Sequence, residues 1–329
     1  MKAVVTGGAG FIGSHLVDLL LVNDYEVLII DNLCTGSLNN VDQTSKKISF
    51  INHDIRTPLP PDSFNDCSIV FHLAALADIV PSIDRPIDYM STNVQGTVNV
   101  LEAARASNVK RVIYTASSTC YGITNNFPTT ENDLIAPTFP YALSKYLGEL
   151  VFFHWLNLYG LKGLSLRLFN VYGPRARTSG NYGAVMGVFL AQKLAQKSFT
   201  VVGDGNQVRD FTYVSDIAQA FFLAGKSQVS GEAINIGTQN PQSVNRLVEL
   251  LGGEVEFIPK RPGEPDRTHA DILKAKSLLN WVPKISFEEG VMKVLEQINM
   301  WKDAPIWDKE DIVKATDTWF RYLGKNETN

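Results

Sequence analysis

The sequence predicts an α/β chain, a doubly wound parallel sheet carrying a smaller, mostly α lobe. Three observations lead there. Short β-branched runs alternate with longer stretches of helical period through the first half of the chain. The first of these runs leads directly into a glycine-rich turn and a helix, "VVTGGAGFIGSHL". After about residue 171 the alternation gives way to loop segments, "GPRARTSGNYG" and "GDGNQVRDF", as expected of a second lobe threaded back onto the sheet.

Taken in order, "KAVVT" is the first strand and "FIGSHLVDLLLV" the first helix, followed by the strands "EVLII", "KISFI" and "SIVFHLA". "STNVQGTVNVLEAARAS" reads as a helix before the strand "RVIYTAS", and "PYALSKYLGELVFFHWLNLYG" as a long helix before the buried strand "GLSLRLF". Repeated βαβ units of this kind cover both faces of a parallel sheet with helices and place ligands at the carboxyl ends of its strands. "EAINIG" is a later strand-like piece. The expected division is a dinucleotide-binding domain over residues 1–170 plus about 210–240, with the second lobe built from 171–209 and 241–329. The tail from about Pro305 spaces Trp307, Ile312, Ala315, Trp319 and Tyr322 as one helical stripe packed on the body.

Composition narrows the function. In 329 residues, 45% are hydrophobic and 19% charged, with 24 glycines and 15 prolines, the balance of a globular protein. A formal charge of -4 gives no basic footprint, so neither nucleic acid nor an anionic membrane surface is an expected partner. Cys34, Cys67 and Cys120 lack CxxC spacing, which indicates neither a disulfide framework nor a metal site. A reducing cytosol fits, and Gly7, Gly8 and Gly10 interrupt the early apolar run before a signal peptide forms.

Gly7, Gly10 and Gly13 follow the first strand and open the first helix. Glycine suits a tight turn that a pyrophosphate must approach closely, beside a helix end with unpaired N–H groups. The next strand ends at Asp31, 18 residues beyond Gly13, where a carboxylate accepts bonds from a ribose diol and repels a 2′-phosphate. NAD is therefore expected over NADP. Asp54, after the third strand, reaches either the adenine or only solvent.

Tyr141 and Lys145, at i and i+4, share one helix face. A nearby ammonium and a cationic nicotinamide both favour the phenolate, which makes Tyr141 a candidate base. The hydroxyls of Ser117 or Ser118, at the end of "RVIYTASS", fall at the same carboxyl edge of the sheet.

"TGGAGFIGSH", "DNLCTG", "HDIR", "HLAALADIVPS", "NVQGTVNVLEAAR", "YTASSTCYG", "YALSK", "LRLFNVYGPR", "GDGNQVRDFTYVSD" and "RPGEPDRTHAD" together resemble, collinearly from residue 2 to about 300, the extended short-chain dehydrogenase/reductases that modify nucleotide-activated sugars. The UDP-glucose 4-epimerase-like members are the nearest in pattern. The resemblance implies a Rossmann-type domain and a catalytic trio of Ser117, Tyr141 and Lys145. It implies NAD contacts from Gly7, Gly10, Phe11, Ile12, Gly13, Asp31, Asn32, Asp54, Ile55, Leu73, Ala74, Ala75 and Asn93, besides Tyr141 and Lys145. It places Ser117, Asn170, Val202, Arg209, Arg261 and Thr268 on a nucleotide-sugar substrate, with Asn170 and both arginines at the diphosphate and Val201 and Val202 flanking the base.

The implied reaction removes the C4 hydroxyl proton to Tyr141 while hydride passes to NAD, and then returns hydride to the other face of the 4-keto sugar. Related 4,6-dehydratases resemble one another in an acid–base pair after the serine or threonine. Here Ser118 and Thr119 stand in those places and offer no carboxyl group. Thr268 replaces a bulky tyrosine that restricts such epimerases to plain hexoses, so a UDP-hexose or a UDP-N-acetylhexosamine is expected. Alternatives are a uronic acid substrate met by Arg175 or Arg177, epimerisation at C2, a dehydratase or reductase, and a non-catalytic dinucleotide sensor. The resemblance also implies a homodimer through helices at about 90–106 and 141–159.

Overall fold

The computed structural model describes residues 1–60, 62–176 and 184–324. The first half contains the strands β1 (Lys2–Thr6), β2 (Glu26–Asp31), β3 (Ile48–Asn52), β4 (Cys67–His72), β5 (Arg111–Ser117) and β6 (Gly163–Leu168). Between them run the helices α1 (Phe11–Val22), α2 (Ile79–Asp84), α3 (Pro86–Met90), α4 (Gly96–Ala106) and α5 (Pro140–Tyr159). The second half contains β7 (Val171–Tyr172), β8 (Phe199–Val202), β9 (Val208–Arg209), β10 (Thr212–Tyr213), β11 (Glu232–Ile236), β12 (Gln242–Ser243) and β13 (Val255–Ile258). Its helices are α6 (Val185–Leu194), α7 (Val214–Lys226), α8 (Val244–Leu251), α9 (Leu273–Leu279), α10 (Phe287–Glu296), α11 (Lys309–Ala315) and α12 (Asp317–Leu323).

Seven strands form one sheet in the order β11–β6–β5–β4–β1–β2–β3, with every pairing parallel. Parallel strands covered on both faces read as continuous apolar runs, and β6 is buried at every position. One face is packed by α1 and α7 through Leu16, Leu20 and Phe221, the other by α4 and α5 through Val100, Leu101 and Phe152. Strand order reverses between β1 and β4, which opens a crevice at their carboxyl ends.

A further core, around Phe189, Phe199, Phe287 and Trp301, joins α6, α8 and α10 to the short parallel pairs β10–β7 and β13–β8. "EAINIG" belongs to the main sheet as its edge strand β11, not to this core. The tail is two short helices where the stripe predicted one. Between them the Thr316 hydroxyl donates to the Ile312 carbonyl (2.7 Å), and local bonding of this kind competes with helix continuation. Ile312 and Trp319 are buried as the stripe predicts, but Tyr322 is exposed. Among the described residues no helix is long and apolar enough to cross a membrane.

Candidate active site

The glycine turn is as tight as backbone allows. Gly7 has φ +72°, and a Cβ there would lie 2.7 Å from the Ala74 nitrogen. A Cβ on Gly13 would lie 2.1 Å from the Gly7 carbonyl oxygen. The end of β1, the loop after β4 and the first turn of α1 therefore meet backbone to backbone. Gly10 stands at the N-cap without a side chain, so the first-turn N–H groups face the crevice beside Phe11 and Ile12, fitting an anion such as a pyrophosphate.

Asp31 ends β2, nearly buried, and its carboxylate accepts N–H bonds from Ala9 (3.1 Å) and Leu33 (2.9 Å). Burial pushes its carboxyl up, and those two donors oppose the rise. Asn32 donates to Asp54 (3.2 Å). Arg56 grips Asp54 at 2.6 Å and holds its carboxyl down to about 2, so this aspartate is neither a bare turn residue nor an open acceptor. Ile55 is buried and its carbonyl accepts from Asn99. Leu73, Ala74 and Ala75 line the loop at the β4 tip, where the Leu73 and Ala74 N–H groups bond the Thr6 carbonyl and hydroxyl oxygens.

Asn93, expected at NAD, is held against the loop after β4. It is 1% exposed, in a π-helical turn between α3 and α4, and both amide hydrogens are used, on the Leu76 carbonyl and the Ser144 hydroxyl. Its oxygen accepts from the Leu76 N–H. Those bonds make it a brace for the 74–76 loop. His72, not singled out in the sequence, is buried between the Thr6 and Thr97 hydroxyls, and burial drives its pKa down to about 3.

Ser117 closes β5, and α5 opens one loop later with Pro140 at its first position, where a missing N–H costs nothing. The Tyr141 phenol lies beside Ser117, and its ring stacks on Phe139 (6.4 Å, 8°) and meets Tyr89 edge-on (6.3 Å). One turn on, Lys145 is almost fully buried with its ammonium 4.6 Å over the Tyr114 ring. Ser117 and Tyr141 thus lie at the end of β5 and the opening of α5, with Lys145 one turn along that helix.

Their charges do not follow the expectation. Burial pushes the Tyr141 phenol up, the neighbouring Ser117 hydroxyl opposes this, and Asp78 and Cys120 add to it. Burial pushes the Lys145 ammonium down to about 7, against the pull of Glu149. Desolvation outweighs the Ser117 contact, so the protein's own groups leave the phenol protonated at neutral pH.

Beneath Lys145 lies a buried ion pair the sequence reading missed: Glu149 to Arg167 on β6, 2.8 Å, joined by Ser165 (2.6 Å) and Tyr121 (2.9 Å). An arginine inside the apolar run "GLSLRLF" was the available signal, since a buried charge needs a partner.

In the second lobe a cleft of about 290 Å³ is lined by Val202, Gln207, Arg209, Lys260 and Glu264. Arg209 donates to Glu264 at 2.8 Å, and Arg261 lies 3.5 Å from the other oxygen of that carboxylate. Asp210, the next residue in the chain, accepts from Thr238, Gln239 and Ala270. Val201 is core, while Val202 faces the cleft. The Thr268 hydroxyl donates to Asn170 (2.8 Å), which places these two side by side. Arg175 pairs with Asp18 of α1 (2.7 Å); Arg177 lies outside the described residues.

The model of the NAD dependent epimerase/dehydratase family matches residues 3–237. A putative UDP-glucose 4-epimerase of Methanocaldococcus jannaschii is 40% identical over 301 residues, covering 89% of this chain and 96% of the relative. A UDP-N-acetylglucosamine 4-epimerase of Methanobrevibacter ruminantium, solved with UDP-N-acetylmuramic acid, superposes with a TM-score of 0.85 at 35% identity, covering 90% of this chain and 98% of that one. A UDP-glucuronic acid 4-epimerase of Bacillus cereus, solved with UDP-glucuronic acid and NAD, superposes with a TM-score of 0.85 at 32% identity, covering 91% and 99%. With the sheet order, the glycine turn, the serine at the end of β5 and the tyrosine and lysine on α5, these matches agree on one assignment: the chain belongs to the NAD-dependent epimerase/dehydratase family.

Proposed function

We propose that the chain is an NAD-dependent UDP-sugar 4-epimerase that acts on a UDP-hexose or UDP-N-acetylhexosamine through a transient 4-keto sugar. The observation that carries the reading is the placement of Ser117 at the end of β5 beside Tyr141 at the opening of α5, with Lys145 one turn along that helix. Tyr141 takes the proton of the C4 hydroxyl and later returns it, and Ser117 orients that hydroxyl. NAD, when bound, would supply the hydride chemistry at C4 and, oxidised, a positive charge that favours the Tyr141 phenolate. Lys145 contributes in the same direction whenever it is protonated, which its pKa of about 7 allows near neutrality.

The glycine turn, Asp31 and the loop at 73–75 hold the dinucleotide. Arg209 and Arg261, pre-ordered by their shared contact with Glu264, hold the diphosphate with Asn170; the guanidinium fork matches phosphate oxygens two at a time. Val202 flanks the base, and Thr268 leaves room for an N-acetyl group. Ser118 and Thr119 supply no carboxyl group beside Ser117, which favours epimerisation over dehydration. On α5, exposed Leu143, Leu150 and Leu158 form an apolar stripe suited to a homodimer. The free thiols Cys34, Cys67 and Cys120 suit the cytosol.

The test is incubation of the purified protein, without added cofactor, with UDP-, GDP-, CDP- and dTDP-sugars, and NMR of the products. C4 epimers of equal mass from UDP-sugars support the reading. Loss of water, or no turnover with any sugar, overturns it.

A further inference from the structure

The family resemblance ends near residue 300, and α12 lies beyond it. This helix does not trail away from the site. Trp319 is 3% exposed, and its indole N–H donates to the carbonyl of Pro262 at 2.6 Å, the residue next to Arg261. The Arg261 guanidinium lies 6.0 Å from the indole centroid, within cation–π range. On another side the indole is 6.1 Å from the ring of Phe139, and Phe139 is the ring on which Tyr141 stacks. The same helix packs on α2, which begins directly after Asp78, a neighbour of the Tyr141 phenol. Leu323, one turn on, covers Gly263. The opposite face is wet, with Phe320 and Tyr322 exposed. One side chain thus touches the segment carrying Arg261 and the residue supporting the candidate base, two places that are far apart in sequence.

We propose that α12 completes the nucleotide-sugar site, with Trp319 as a positioning residue that fixes Arg261 at the diphosphate and Phe139 against Tyr141, and so sets substrate affinity. The proposal rests on the reading of Arg261 as a diphosphate contact. A ring engages only the face of a guanidinium, so the indole does not compete with phosphate oxygens for its N–H donors. The hydrogen bond to Pro262 fixes the backbone that carries it.

The experiment compares wild type, Trp319→Ala, Trp319→Phe and Arg261→Ala as full-length enzymes with their bound NAD. KM and kcat for the UDP-sugar and the NAD content are measured together. Trp319→Ala is expected to raise KM by about tenfold or more, with kcat within about threefold and NAD content unchanged; Trp319→Phe, which keeps a ring but loses the N–H, recovers most of the loss. If the alanine variant does not fold, Trp319→Leu carries the same expectation. A wild-type KM in the Trp319 variants, or a fall in NAD content and kcat without a rise in KM, overturns the proposal. If Arg261→Ala raises KM and Trp319→Ala does not, only the role of α12 fails. If neither does, or wild type converts no UDP-sugar, the functional reading fails and this inference with it.

Discussion

The Lys145 ammonium stands 4.6 Å above the face of the Tyr114 ring, almost fully out of water. A ring face offers only part of what hydration gave, which is why burial brings this lysine down from 10.5 to about 7. The groups that face it are Glu149 on its own helix, His72 on β4 and Tyr114 on β5.

A stability prediction follows from that displacement. Between about pH 7 and 10.5 the unfolded chain holds a proton on this lysine that the folded chain does not, so folding becomes more favourable as pH rises through that window. Below about 7 the penalty is fully present, roughly 5 kcal/mol at most. Lys145→Met in nucleotide-free protein is expected to raise Tm by several degrees at pH 6, with a gain that fades toward pH 10. A gain independent of pH, or a loss at pH 6, would contradict the buried-charge account.

The Glu149–Arg167 pair gives a second. Removing one partner strands the other charge inside the sheet, so Arg167→Met is expected to cost about 3–5 kcal/mol in a urea titration. Glu149→Leu combined with Arg167→Met is expected to recover most of that. Single variants within about 1 kcal/mol of wild type would mean that the pair is not desolvated as described.

The glycine turn gives a third. Any side chain at position 13 would press into the Gly7 carbonyl, 2.1 Å from its Cβ, and shift the turn. Gly13→Ala is expected to bind NAD about tenfold more weakly or worse, read from the nucleotide released on denaturation. Wild-type NAD content in that variant would remove the turn from the cofactor site.

Features set by local pattern were legible in the chain. The period change between strands and helices, the glycines after the first strand, and the Tyr141–Lys145 spacing all act within a few residues of one another, and the structure places them together. What depended on distant partners was not legible. Asn93 is turned inward by Leu76 and Ser144, Arg175 is drawn to Asp18 in α1, and Arg209 is matched to Glu264 rather than its neighbour Asp210. The sense of the Tyr141 shift escaped for the same reason: spacing shows that an ammonium is near, but burial of the pair is a property of the packed helix. The break at Thr316 came from a hydroxyl back-bond that periodicity does not register.

The central claim is that a sugar alcohol is oxidised and restored at C4 within one turnover, with Tyr141 moving the proton. The most direct measurement is NMR of the product formed from a UDP-sugar carrying deuterium at C4, in ordinary water, by wild type and by Tyr141→Phe. The account predicts an inverted C4 that keeps its deuterium, and a rate about a thousandfold lower in the phenylalanine variant with NAD still bound. Deuterium lost to solvent, or near wild-type turnover without the phenol, would contradict it.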